Sequence, residues 1–120
     1  MPVICLVDDD ESVRESVTGL LRACGLQALP FASAEEFLAA EERARADCLI
    51  MDVTMPGMSG VELQERLLLE QPSLPIIFVT ARVEEALRAR LMARGAVACL
   101  VKPFEEEDLL SALDVAISRR

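Results

Sequence analysis

Three neighbouring carboxylates, Asp8, Asp9 and Asp10, follow directly on the apolar run Val3-Ile-Cys-Leu-Val7. In extended backbone successive side chains alternate in direction, so at least one of the three must point into any pocket shared with other chain segments. Crowded like charges repel, and a cation relieves them. Ligands offering oxygen only suit a hard ion, Mg2+ or Mn2+, held by one or two carboxylates together with waters and a phosphate. Asp10 is expected instead to cap the helix that follows, where a negative charge meets the positive end of the dipole. A second carboxylate, Asp52, ends the apolar run Cys48-Leu-Ile-Met51. Taken alone it reads as a turn former. A hydroxyl, Thr80, ends the run Leu74–Val79, and an ammonium, Lys102, ends Cys99-Leu-Val101. Thr80 alone would read as a helix N-cap, and Lys102 as a solvated cation. Pro103 changes the second reading by placing the lysine on a tight turn open to the cis form.

These residues share one property: each ends a short apolar run bounded by turn signals, the pattern of a strand buried on both faces. The run before Asp52 is stopped by Met55-Pro-Gly57, since proline lacks a donor and glycine accepts positive φ. Ser59-Gly-Val-Glu62 then reads as a capping box opening a helix over about 60–70, which Gln71-Pro-Ser73 terminates. Elsewhere the first strand, 3–7, leads to a helix over about 11–24, with Val13, Val17, Leu20, Leu21 and Cys24 at helical spacing and Gly25 as its C-cap. Residues 27–31 form a short strand whose Pro30 suits an edge. Ser33-Ala-Glu-Glu36 is a second capping box, opening a short helix with Phe37 and Leu38, and the charged Glu41–Ala46 stretch ends it as solvated surface. A helix over about 83–94 carries Ala86, Leu87, Leu91 and Met92 before Gly95 closes it, a fifth strand covers about 97–101, and a last helix runs from about 105 to 118. That helix opens on Glu105-Glu-Glu-Asp108 and packs through Leu109, Leu110, Leu113, Ala116 and Ile117. Five strands alternating with five helices make a doubly wound α/β sheet, and parallel strands bring all four chemical ends to one edge.

With 120 residues, 52% of them hydrophobic, the chain is expected to form one domain, 1–120, with one core. A net charge of -9 argues against direct contact with nucleic acid. The start lacks a basic leader and no apolar run nears the roughly 18 residues of a membrane span, so a cytoplasmic protein is expected. Cys5, Cys24, Cys48 and Cys99 form no CxxC pair and no histidine exists to complete a zinc site, so they are read as small reduced core residues. The lack of histidine removes a phosphohistidine and a histidine base from consideration; any phosphoryl acceptor must be something else, and aspartate is available.

The ordered motifs Val7-Asp-Asp-Asp10, Asp52-Val-Thr-Met-Pro-Gly-Met-Ser-Gly60, Val79-Thr-Ala81, Arg94-Gly-Ala96 and Val101-Lys-Pro-Phe104 make the chain resemble the receiver domain of bacterial two-component response regulators, over nearly its whole length. The resemblance implies a flavodoxin-like (βα)5 fold with strand order 2-1-3-4-5, whose switch point falls between strands one and three, where Asp8, Asp9 and Asp52 end. It implies that Asp52 is the phosphoacceptor; that Asp9, Asp52 and the carbonyl of Thr54 bind Mg2+ with help from Asp8; that Lys102 pairs with Asp52 and then with a phosphoryl oxygen; and that Thr80 meets another oxygen. Small Ala81 leaves room for the phosphoryl group, and Thr54 and Arg82 set its lifetime. Arg82 is equally readable as a solvated charge. Implied partners are a sensor histidine kinase and, through an output surface of the fourth helix, fifth strand and last helix, transcription control.

Glu11-Ser-Val-Arg14 and Phe31–Leu38 resemble the FixJ-type subgroup, whose receivers commonly precede a helix-turn-helix DNA-binding domain. The basic Ser118-Arg-Arg120 end fits a chain cut before such a linker and a single-domain receiver equally. A homodimer formed on phosphorylation through the last two helices is a further expectation. One position departs from the family: Cys99 stands three residues before Lys102, where most receivers carry an aromatic residue that swings inward with the threonine. Two other classes stay open at this point. A haloacid-dehalogenase-like phosphatase would put the covalent phosphate on Asp8, and a phosphorylation-independent interaction module would need none.

Overall fold

Strands and helices alternate throughout residues 1–118, the part of the chain that the computed structural model describes. They are β1 (Val3–Val7), α1 (Glu11–Ala23), β2 (Gln27–Phe31), α2 (Ala34–Ala39), β3 (Cys48–Met51), α3 (Gly60–Glu70), β4 (Ile76–Thr80), α4 (Glu85–Ala93), β5 (Ala98–Val101) and α5 (Glu106–Ser118). Arg119 and Arg120, and with them the basic end, lie outside the described residues. All five strands pair in parallel in the order β2-β1-β3-β4-β5. The chain reverses direction across the sheet between β1 and β3, as the resemblance implied.

Period-two alternation in the strands divides the core into two layers. Cys5, Val7, Leu49, Met51 and Phe78 face α2, α3 and α4, meeting Phe37, Leu63, Leu67 and Leu91. Ile4, Leu6, Ile50, Ile77 and Val79 face α1 and α5, meeting Val17, Leu21, Leu109 and Leu113. Each large side chain so buried contributes about 1.5–3 kcal/mol relative to exposure, which is what holds the strand ends in place.

The differences from expectation are local. Glu41–Arg45, expected as solvated surface, has no buried residue and folds as a 3-10 turn. The second capping box is half formed: Ser33 Oγ accepts from the N–H of Glu36, but Glu36 Oε2 accepts from Ala32 N–H rather than from that of Ser33. The glutamate has reached one residue further back, to the donor that β2 leaves free as it ends. α4 is shorter than expected and only Leu91 is buried in it, with Leu87 packed against the core from the rim. Ala86 and Met92 are exposed, because each stands about 100° round the helix from the 87/91 stripe. Cys24 is exposed as well. It is the C-cap of α1, from which the chain turns away through Gly25 at φ +81°, and so it lies past the edge of the core. The other three cysteines are buried, and burial pushes the Cys5 thiol up to about 11 and the Cys48 thiol up to about 12.

Candidate functional site

Register builds the site. Val7 pairs with Met51 across β1 and β3, so the residues that follow each strand, Asp8 and Asp52, emerge side by side. Thr80 pairs with Val101 across β4 and β5, and Lys102, one residue on, donates its N–H to the Thr80 carbonyl at 2.7 Å. The Lys102–Pro103 peptide is cis. Lys102 Nζ then donates to Oδ2 of Asp8 and to Oδ2 of Asp52, both at 3.0 Å.

The second oxygen of each carboxylate is also engaged. Asp8 Oδ1 accepts from Asp10 N–H at 2.9 Å, and Asp52 Oδ1 accepts from Thr54 N–H at 3.1 Å. Asp8 has no exposed surface, whereas Asp52 keeps 8%. Burial by itself would lower the Lys102 ammonium, but the bonds to Asp8 and Asp52 outweigh it and raise the group above its ordinary value. Asp9 is exposed, and its carboxylate lies with those of Asp8 and Asp52 such that one oxygen from each falls within 4.8 Å of the others. Three oxygen donors at that spacing, one of them facing solvent, match what a hard divalent cation requires. Asp10 caps α1 through Ser12 N–H, as expected.

The loop after Asp52 is held close. Gly60 N–H donates to Val53 O at 2.9 Å, and a Cβ at Gly60 would stand 2.3 Å from the Asp52 carbonyl oxygen, so only glycine fits there. The Ser59–Glu62 capping box forms in both directions and starts α3 at once. Thr80 does not cap α4, whose N-cap is Glu84. Its hydroxyl, on a residue 2% exposed, donates to the carbonyl of Arg82 at 3.2 Å, within the loop that leads to that helix. Cys99 is buried beneath α4, in the layer that holds Leu91.

Three contacts at the site escaped the sequence reading. Lys102 bridges Asp8 as well as Asp52. Arg14 Nη1 donates to the Asp8 carbonyl at 2.7 Å, and Glu35 accepts from Met58 N–H at 3.0 Å. Arg14 falls one turn into α1, a position from which a long side chain reaches back to the helix start, so spacing carries some hint of it. Nothing in the chain pattern links Glu35 to Met58, 23 residues away.

Residues 4–114 match the sequence model of the response regulator receiver domain. The chain belongs to that family. Receiver domains are the phosphorylation-activated switches of two-component systems, and this chain is one of them. It is 38% identical over 117 residues to Nodulation protein W of Bradyrhizobium diazoefficiens, a match covering 98% of this chain and 52% of that protein. Among solved structures, response regulator StyR superposes with a TM-score of 0.85 at 41% identity, covering 98% of this chain and 59% of that one. FixJ-N superposes at 0.88 with 34% identity, covering 98% and 94%. The receiver spans about half the length of the curated relatives it matches. No helix among its described residues is long and apolar enough to cross a membrane.

Proposed function

We propose that residues 1–120 form a single receiver domain that accepts a phosphoryl group from a sensor histidine kinase on Asp52, with Mg2+ or alternatively Mn2+ held by Asp8, Asp9, Asp52 and the carbonyl of Thr54. The observation that carries this reading is the double contact of Lys102 with Asp8 and Asp52 at the switch point of the sheet. Bound there, the cation would offset the negative charge of the incoming phosphoryl oxygens. In the transfer, an Asp52 carboxylate oxygen forms a bond to phosphorus while the phosphorus–nitrogen bond of the donor phosphohistidine breaks and its electron pair returns to the imidazole. Such chemistry depends on positioning and on charge neutralisation, and both are built in here. Thr54 N–H and Lys102 fix the two oxygens of Asp52, and Lys102 is free to exchange a carboxylate oxygen for a phosphoryl one. Asp8 has no exposed surface, which favours Asp52 over Asp8 as the acceptor and counts against the phosphatase alternative.

The domain works as a switch rather than as a metabolic enzyme. Phosphorylation adds about -1.5 to -2 of charge and new acceptor oxygens. Thr80 would leave the Arg82 carbonyl to meet them, releasing the loop into α4, so that α4, β5 and α5 change as an output surface. Cys99 cannot supply the swinging ring of other receivers, and the change is carried by Thr80 and α4. The output is transcription, through a DNA-binding domain in the whole protein, with a cytoplasmic location and a homodimer on phosphorylation. This acidic domain itself makes no direct contact with nucleic acid or membrane. Intact-mass spectrometry after incubation with Mg2+ and acetyl phosphate tests the core of the reading. One labile phosphoryl group is expected on the wild type and none on Asp52→Asn; an unmodified wild type, or a label that maps to Asp8, would overturn it.

A further inference from the structure

Glu35 lies in the first turn of α2, outside the carboxylate cluster, yet its side chain makes a contact that reaches the loop after Asp52. Its Oε2 accepts from Met58 N–H at 3.0 Å, and a Cβ at Gly57 would stand 2.6 Å from the same oxygen. Gly57 is the most permissive link in that loop, at φ +74°, and Glu35 closes against it and bonds the very next amide. On the other side the loop is tied by burial of Val53 and Met55 and by the Gly60 N–H bond to Val53 O. Exposed Thr54 stands between buried Val53 and Met55, and the Glu35–Met58 bond fixes the same loop four residues further on.

We propose that Glu35 is a positioning residue for the cation site: by accepting from Met58 N–H it sets the course of the loop 53–58 and hence the direction of the Thr54 carbonyl. The inference rests on the reading of Thr54 as a ligand. Helix capping does not explain the contact, because Ser33 already accepts from the Glu36 amide and the Glu35 carboxylate is turned to another element. The same bond holds the Glu35 carboxyl below its ordinary value. The segment 33–38 thereby gains a role beyond packing Phe37, since it ties α2 to the loop of the phosphoacceptor.

The test compares wild type, Glu35→Ala and Glu35→Gln by Mg2+ titration calorimetry and by the exchange rate of the Met58 amide in Mg2+-free protein. Glu35→Ala is expected to weaken Mg2+ binding about tenfold, the lower end for residues that orient a ligand without touching the metal, and to unprotect the Met58 amide. Glu35→Gln keeps an acceptor oxygen and is expected to restore both readouts nearly to wild type. Thermal unfolding midpoints of all three should agree, which separates positioning from general stability. An unchanged Mg2+ affinity in Glu35→Ala, or a glutamine variant as weak as the alanine one, would overturn the proposal. Absence of Mg2+ binding by the wild type would instead bring down the cation-site reading beneath it.

Discussion

The ammonium of Lys102 donates to Oδ2 of Asp52 across 50 residues of chain, at 3.0 Å, and in doing so stands where a second cation would compete for the same oxygens. Its other contact, to Asp8, gives one lysine two carboxylates to neutralise. The lysine is thus a counter-ion to both carboxylates, and in the proposed transfer it is the group that would follow the phosphoryl charge.

Replacing it by methionine keeps the aliphatic stem but leaves two buried carboxylates without their counter-ion. We expect Lys102→Met to cost about 1–3 kcal/mol in urea unfolding without divalent ions, and less in Mg2+. Mg2+ should bind the variant at least as tightly as wild type, because a competing positive charge is gone. The pH dependence has a defined sign. The Lys102 value is raised in the folded state, so its contribution is fully present below its unfolded value near 10.5 and is lost as pH rises through the higher folded value. The stability gap between wild type and Lys102→Met should therefore hold at pH 7 to 10 and narrow above about 10.5. A gap constant to higher pH would show that the charge contact is not its source.

Gly60→Ala sets two principles against each other. Helix propensity favours alanine by up to about 1 kcal/mol at the start of α3. The new Cβ, however, would meet the Asp52 carbonyl oxygen at 2.3 Å and the Val53 Cα at 2.9 Å, both backbone atoms with little freedom to move. Overpacking should win, with a net loss of about 1–3 kcal/mol and a slower phosphorylation by acetyl phosphate as Asp52 is displaced. A stabilised Gly60→Ala would mean that the loop yields easily.

Much of this arrangement was legible in the chain, and the boundary is instructive. Apolar runs ending in Asp8, Asp52, Thr80 and Lys102 predicted the four strand ends because a buried parallel strand needs no partner information to be recognised. The capping box at Ser59 was readable for the same reason, being closed within four residues. What stayed hidden was contact between distant segments: Lys102 with Asp8, and Glu35 with Met58. On α4 the apolar residue types of Ala86, Leu87, Leu91 and Met92 do not by themselves mark the inward face, since the short helix turns only Leu87 and Leu91 to the sheet. Cys24 failed for a related reason, a core-type residue placed at the end of its helix.

The cysteines offer a direct check on burial. Cys24 is exposed, whereas Cys5, Cys48 and Cys99 are buried, the first two with thiols raised to about 11 and about 12. Only thiolate reacts with iodoacetamide at a useful rate. At pH 8 the native protein should take up one carbamidomethyl group, mapped to Cys24, and the urea-unfolded protein four. Early labelling of Cys99 would show that the layer beneath α4 opens more readily than its packing implies.

Thr80→Val isolates the conformational relay from the chemistry. The side chain is nearly isosteric, and the bond it deletes, to the exposed loop carbonyl of Arg82, should cost no more than about 1 kcal/mol. Asp52, Thr54 and Lys102 keep their contacts, so acetyl phosphate should still modify Asp52. What should disappear is the response beyond the site. In the wild type, beryllofluoride with Mg2+ should draw the Thr80 hydroxyl away from Arg82, and the amides of residues 81–91 should shift. In Thr80→Val no hydroxyl is available to exchange partners, and Cys99 offers no ring to move in its stead, so on the proposed relay those amides should stay near their resting positions. If α4 responds equally in both proteins, the path from phosphoryl group to output surface runs through the backbone of the loop and not through Thr80.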